Sequence, residues 1–376
     1  MALAPRAVDL KHNLGVNNGT YGLLLSFGAV GSITSLLVMG RLVNHYGIRR
    51  TLYVSATVLY GLMAITPHLH VPIIYTVVNI GMALSASAHM IALHTQILQR
   101  QDESGEVLLA RMQGAWSIGV LGTVTAALLL TTRVSFAWHI DILMCAVWVL
   151  TCLTVHSTRS TLSSKSNQPI ELEKLNFGRI RKIFTSDKSI MFAFSLGTFI
   201  EFASGDWSTL VTNQEIGAGK SASVLSFFAL IVAMILGRLY FVKLIGFRSE
   251  QFWIRLASLV GGGGFIVFSQ LAKILADKKI ALALPCEIFA FLFAGFGTSF
   301  MSALFTTIAN RRSAAKPSEV VAQLSLSNTV IVFVSKTVVA WIAQVSSIST
   351  ALLIPGIALL AVSRFAHLGN PNRLKS

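Results

Sequence analysis

The amino-acid sequence predicts an all-α polytopic membrane protein, and three observations carry that reading. Of the 376 residues, 54% are hydrophobic and 12% are charged, with a mean hydropathy of +0.69, whereas a soluble domain carries roughly a quarter charged residues. The apolar runs are repeatedly about 20 residues long, the length an α-helix needs to cross roughly 30 Å of hydrocarbon. Segments of about ten residues with alternating polarity, the mark of membrane barrel strands, dominate nowhere, which excludes a porin.

Eleven spans follow in chain order, each an apolar run closed by polar residues. The first, 21–40, stops at Arg41. The second, 51–67, starts after Arg49-Arg50, and the third, 72–97, stops short of Arg100. Spans 113–132 and 138–156 flank Arg133. Beyond a long hydrophilic stretch come 189–211 and 221–242, separated by a turn with Lys220, then 252–271, ended by Lys273, and 281–305, which follows Lys278-Lys279. The last two are 321–344 and 350–366. The hydrophilic stretch, rich in Ser, Thr, Lys and Arg, divides the chain into an N-terminal bundle (1–156, five spans), a basic cytoplasmic linker (157–188) and a C-terminal bundle (189–376, six spans).

Charge sets the orientation. The chain carries 30 Lys and Arg against 15 Asp and Glu, a formal charge of +15. With the loop Arg41–Arg50 in the cytoplasm, only Arg6, Lys11, Arg133, Lys220, Lys273, Lys278 and Lys279 lie outside and Lys336 lies within a span. All other basic residues are then cytoplasmic, as the positive-inside rule requires. The C-terminus is therefore cytoplasmic and the N-terminus outside, and no signal-peptide pattern precedes the first span. Basic residues spread over short loops, rather than along one face, argue against a nucleic-acid partner. Cys145, Cys152 and Cys286 fall within spans and read as packing residues; without clustered His or carboxylates no metal site is expected, and no cofactor. The run Gly261–Gly264 lacks the Lys-Ser/Thr of a phosphate loop and reads as close helix packing or flexibility.

A short motif recurs in the two halves. Gly40-Arg41-Leu42-Val43-Asn44-His45-Tyr46-Gly47-Ile48-Arg49-Arg50 joins the first two spans, and Gly237-Arg238-Leu239 with Gly246-Phe247-Arg248 occupies the corresponding place later. The first resembles the signature loop between the second and third helices of the major facilitator superfamily, with Asn44 where the family usually carries an acid. Ala4-Pro5-Arg6-Ala7-Val8-Asp9-Leu10-Lys11 with Leu14-Gly15, and Gly205-Asp206-Trp207-Ser208, are similar to the fucose-permease-like bacterial branch. The resemblance implies two pseudo-symmetric six-helix bundles rocking around a central cavity. It also implies a cytoplasmic-membrane (inner-membrane) location, a monomer, and a small-molecule solute moved with H+.

The repeat leaves a gap. Two spans after the linker precede the second motif but only one precedes the first, so symmetry asks for a further helix before 21–40. Ala4–Lys11 resembles the tail of that helix. A late start is the favoured reading, beside a truncation or an eleven-span variant. Gly40, Asn44, Gly47, Arg49 and Arg50, with Gly237, Arg238, Gly246 and Arg248, are the expected cytoplasmic gating loops. Gly40 permits close helix approach, Gly47 a tight turn, and the arginines reach headgroups or helix C-terminal carbonyls. Asn44 offers only hydrogen bonding, so the latch should be weaker than one built on an acid.

Ionisable side chains inside a bilayer cost at least about 2.5 to 3.5 kcal/mol and mark ion or solute pathways. They are few: Glu201 and Asp206 in 189–211, Glu287 in 281–305, Lys336 in 321–344, Asp141 near the end of 138–156, and His89 and His94 in 72–97. With a further helix counted, the fourth, seventh and tenth helices carry His89, His94, Glu201, Asp206 and Glu287, and the resemblance implies that these helices line the cavity. Glu201, near mid-span, is the proton-coupling candidate; its other reading is a carboxylate paired with Lys336 or bonded to a neighbouring helix. Asp206, five residues on and about 140° around the helix, forms with Trp207 a polar and stacking surface for solute, or merely an interfacial pair. Glu287, His89, His94 and Lys336 complete the cavity candidates, with helix-packing hydrogen bonds favoured for the histidines. The expectation is proton symport of a small polar, sugar-like solute. Proton-driven efflux of amphipathic compounds and a non-transporting receptor or scaffold are the alternatives. No enzyme chemistry is expected.

Overall fold

The computed structural model describes residues 2–104, 108–158, 187–244, 247–277, 280–313 and 317–370, and every element among them is a helix. The helices before the linker are α1 (Ala7–Leu14), α2 (Asn18–Ser26), α3 (Gly28–Tyr46), α4 (Ile48–Ile65), α5 (Pro72–Ser104), α6 (Leu108–Leu130) and α7 (Phe136–Ser157). After it come α8 (Lys188–Gln214), α9 (Lys220–Leu244), α10 (Glu250–Ala276), α11 (Ile280–Thr298), α12 (Met301–Arg312), α13 (Pro317–Val345), α14 (Ile348–Ala351) and α15 (Leu353–Ala361), with a 3-10 turn at Val362–Gly369. Nearly all of the linker lies outside the described residues.

Among the described residues, eight stretches are long and apolar enough to cross a membrane: 18–39, 72–97, 136–157, 220–240, 250–276, 280–312, 323–345 and 348–369. The expected spans 51–67, 113–132 and 189–211 coincide with α4, α6 and α8, which are helical but shorter or more polar. Three expected spans are interrupted, the first of them, 21–40, at Phe27 between α2 and α3. Span 281–305 breaks at Ser299-Phe300, between α11 and α12. Span 350–366 is assembled from α14, α15 and the 3-10 turn; Pro355, which has no amide hydrogen to give, stands at the third position of α15, where a helix leaves its N–H groups unpaired anyway.

Local chemistry sets the ends. Asn17 Oδ1 accepts from the Thr20 amide at 2.8 Å to start α2, Asp187 accepts from Ser189 at 2.8 Å to start α8, and Ser347 caps α14. α3 and α4 are joined through Gly47 alone, at φ +82° and ψ 157°, a backbone that other residues rarely adopt.

Helices before the linker pack mainly among themselves, α5 against α3 and α4 and α4 against α7, while α11 lies against α10 and α9. The Gly261–Gly264 run is packing machinery. A Cβ on Gly261 would stand 2.4 Å from the Gly297 Cα, and one on Gly262 would stand 2.7 Å from the Leu360 amide nitrogen, so α10 lies nearly backbone to backbone against both neighbours. The seams between the two groups are α2 with α13 and α6 with α9.

One face, here the N-terminal face, is tied across these seams. The Thr209 hydroxyl donates to the Ala4 carbonyl at 2.8 Å, Lys220 pairs with Asp9 at 2.6 Å, and Lys11 donates to Gln214 at 3.3 Å. The Gly19 amide donates to Gln344 at 3.1 Å and Ser221 to the Leu128 carbonyl at 2.6 Å. Arg6, 1% exposed, donates to the carbonyls of Thr131 and Val134 at 3.0 and 2.9 Å and lies over Phe136. The opposite face, where α7 ends and α8 begins, is here the linker face.

Candidate functional site

Two ion pairs are set into the C-terminal helices at different depths. Lys336 of α13 reaches Asp206 of α8 at 2.6 Å, with both side chains about four-fifths buried, and its ammonium lies 5.9 Å from the centre of the Phe202 ring. The companion of Lys336 is therefore Asp206, not Glu201. Five helical positions turn the two acids toward different neighbours, and α13 lies on the Asp206 side.

Around that pair stand three large aromatic side chains from both groups of helices. Trp207 and Tyr21 of α2 meet edge to face at 6.1 Å and 84°, and both are buried, as is Tyr75 of α5. Asp206 is within electrostatic reach of both tyrosines. Gly22 brings α2 close to α13 here, since a Cβ would stand 2.3 Å from that of Ala340 and 2.8 Å from the Trp207 ring. The arrangement is a charged and aromatic roof directly beneath the contacts that tie the N-terminal face.

Glu201 lies nearer the linker face and is 14% exposed, with Oε1 3.7 Å from Arg238 Nη2. The structure explains why Arg238 points there. The α11–α12 break leaves the Ser299 carbonyl without a helical partner, and Arg238 Nε donates to it at 3.0 Å. Its guanidinium also lies 6.0 Å from the Trp116 ring centre of α6. Gly237 makes room, because a Cβ would stand 2.3 Å from the Ser299 hydroxyl. Gly237 and Arg238 thus lie within α9 rather than in the loop after it.

The other expected residues scatter. His89 Nδ1 meets the Ser55 hydroxyl at 3.1 Å between α5 and α4, and His94 Nε2 is buried without a partner. Asp141 pairs with His68 at 3.0 Å in a half-exposed setting. Glu287 is fully buried in α11, away from any cation partner among the described residues. Gly47 makes the α3–α4 turn, Arg49 stacks over Tyr53 at 5.7 Å, Arg50 is exposed, and Arg248 lies over Phe252 at 5.9 Å. Gly246 and the side-chain surroundings of Gly40 and Asn44 lie outside the described residues.

Several participants went unnamed in the sequence reading. Asn79 of α5 donates to the carbonyls of Leu24 and Leu25 at 2.9 and 3.2 Å, beside the α2–α3 break; its signal is a lone amide in an apolar span. Tyr21, Tyr75 and Ser299 carry no such signal. An apolar cavity of about 320 Å³ between α9, α10 and α11, walled by Leu236, Tyr240, Trp253 and Phe296, has no acidic or basic side chain in its lining and is not the place where the charges meet.

Comparison with known proteins follows the same line. The family model described as Major Facilitator Superfamily matches residues 1–335. An uncharacterised MFS-type transporter of Yersinia pestis is 22% identical over 369 residues, 97% of this chain and 91% of that one. A crystal structure of a D-xylose-proton symporter is similar with a TM-score of 0.73 at 13% identity, covering 98% of this chain and 93% of the other. One of the nucleoside transporter NupG gives 0.68 at 13% identity, covering 97% and 93%.

Proposed function

The chain belongs to the Major Facilitator Superfamily, and from that premise we propose that it moves a small polar, sugar-like solute together with a proton by alternating access. It is a multi-pass membrane transporter and not an enzyme. In this reading eleven helical spans form two bundles, 1–156 and 189–376, joined by the basic linker 157–188. The C-terminus and linker are cytoplasmic, the membrane is the inner membrane, and the protein acts as a monomer.

The observation that carries the proposal is the Asp206–Lys336 pair at 2.6 Å beside Tyr21, Tyr75 and Trp207, where the two bundles meet. A buried ion pair is a poor source of stability, and in a membrane such groups belong to solute and ion pathways. The aromatic rings suit the apolar faces of a sugar or nucleoside, and the paired charges suit its hydroxyls. With the N-terminal face tied, the solute reaches this roof from the linker face. Opening the other way requires the bundles to rotate and the Asp9–Lys220 and Gly19–Gln344 contacts to part. Glu201, held by Arg238, is the proton-coupling residue of this scheme.

The test is uptake of D-xylose and of uridine into proteoliposomes of the purified chain, with and without an imposed inward proton gradient. Gradient-driven accumulation of either, lost in Asp206→Asn, is the expected result. Absence of flux for sugars and nucleosides, with flux of lipophilic cations instead, overturns it.

A further inference from the structure

Among the described residues the C-terminal helices bury three acids within the expected spans, and two have cations: Glu201 has Arg238 and Asp206 has Lys336. Glu287 of α11 has none among the described residues. It is 0% exposed, and both carboxyl oxygens are buried without a hydrogen-bond partner. The register of α10 against α11 shows which residue stands at its level. Phe265 meets Phe291 at 5.5 Å, Ala272 shares a cluster with Ala283 one step farther along, and the antiparallel run between them sets Ser269 level with Glu287. Ser269 is 1% exposed and its hydroxyl is likewise unpartnered.

Among the described residues, no charged group on a neighbouring element pairs with Glu287. Glu215, just past the end of α8, acts on Glu287 electrostatically, and its own carboxylate accepts from the amides of Ile348 and Ser349 and from the Ser349 hydroxyl. Lys220 at the start of α9 holds Asp9, and Arg238 at its other end holds Glu201. On α10, Lys273 donates to Ser347 and Thr350, Glu250 holds Arg311 of α12, and Arg255 stands near the linker face; Asp277 follows the last turn. Arg312 of α12 lies by Asp187, and α15 carries no titratable side chain.

A carboxylate with no cation and no donor, in apolar surroundings, costs several kcal/mol, and the nearby negative charge of Glu215 adds to that cost. The neutral acid removes the charge, and with it the cost of burying an unpaired carboxylate. We infer that Glu287 is a proton-binding site of the C-terminal bundle, its carboxyl carrying a proton while the N-terminal face is shut. Seven residues from the start of α11 place it about 10 Å from that face at 1.5 Å per residue. Under the transport reading, on which this consequence rests, opening the face admits water. The O–H bond then breaks heterolytically, the proton leaves to water, and the electron pair stays on the carboxylate. Glu287 thereby becomes a second proton carrier beside the Glu201 of the coupling scheme.

Infrared difference spectroscopy of the reconstituted full chain at neutral pH tests this without any solute. The wild type is expected to show the carbonyl stretch of a buried neutral carboxylic acid, lost in Glu287→Gln, retained in Glu201→Gln, and shifted in frequency in Glu287→Asp, which decides the matter if Glu287→Gln does not fold. Replacing choline by Na+ in the buffer is expected to leave the band in place. Absence of the band in the wild type, its persistence in Glu287→Gln, or its loss on adding Na+, which assigns the site to a metal cation, each overturns the proposal. Failure of D-xylose and uridine to move would count against the transport reading alone.

Discussion

Removing the charge of Asp206 or of Lys336 alone should damage the protein far more than removing both. At 2.6 Å and an effective dielectric of about 20, the attraction between the two charges is about 6 kcal/mol, against which stands the desolvation of each group. Taking away one partner leaves the other buried and uncompensated, a loss of about 3 to 5 kcal/mol. Side chains still 19% and 20% exposed place the pair near the lower end of that range. The expected shift for Asp206→Asn or Lys336→Met is therefore about 3 kcal/mol, or about 100-fold in the folding equilibrium. The double variant leaves no orphaned charge and should recover most of it. Unfolding in mixed micelles by added SDS, followed through the thiol reactivity of Cys152 and Cys286, which are half-buried and free, gives the four free energies of the cycle. A double variant that loses the sum of the two single losses refutes the reasoning, because the two groups are then not coupled.

Three other outcomes follow from the same geometry. Asp9→Asn weakens the tie to Lys220, a pair whose lysine is 55% exposed and is worth about 0.2 to 1 kcal/mol. A cysteine at Ala343 in the seam should then react up to about fivefold faster with an impermeant maleimide, and an unchanged rate would show that the tie does not hold that face. Gly261→Ala forces a methyl against the α11 backbone and should cost about 1 to 3 kcal/mol in SDS unfolding; Gly263→Ala, which meets only the tip of Leu360 at 4.0 Å, should be tolerated, so equal losses in the two would contradict the packing described. Arg238→Lys removes the Nε donor to Ser299 while keeping the charge, and proton-driven flux should fall while solute counterflow persists; equal losses in both would make the residue structural only.

Composition and span length made the helical membrane architecture legible, and the superfamily could be recognised from the Gly40–Arg50 segment because a one-residue turn between helices needs a residue like Gly47. The charged residues of the site could be listed from their improbability in lipid. Their pairing could not, because which of α9 or α13 flanks each side of α8 is a property of the packed assembly. Lys336 was thus open to Glu201, although Asp206 holds it. Ser299 and Asn79 were hidden for a related reason. Each matters through carbonyls at or beside a helix break, and the breaks at Phe27 and Ser299-Phe300 leave no proline or loop signature in the apolar runs that contain them. Glu287 stands out in the sequence as an acid within an apolar run, but its lack of a cation among the described residues is a property of the packed helices.

The tie between Asp9 and Lys220 also constrains biogenesis. The two residues are 211 positions apart, and at about 5 to 20 residues per second the ribosome needs roughly 10 to 40 s to deliver the second after the first. Throughout that interval Arg6 can already rest on the α6–α7 turn once it is made, but the segment has no counterpart from α8 or α9 to close upon. The earlier-made partner waits for the later one, and the nascent bundle stands in the membrane with that edge unsealed.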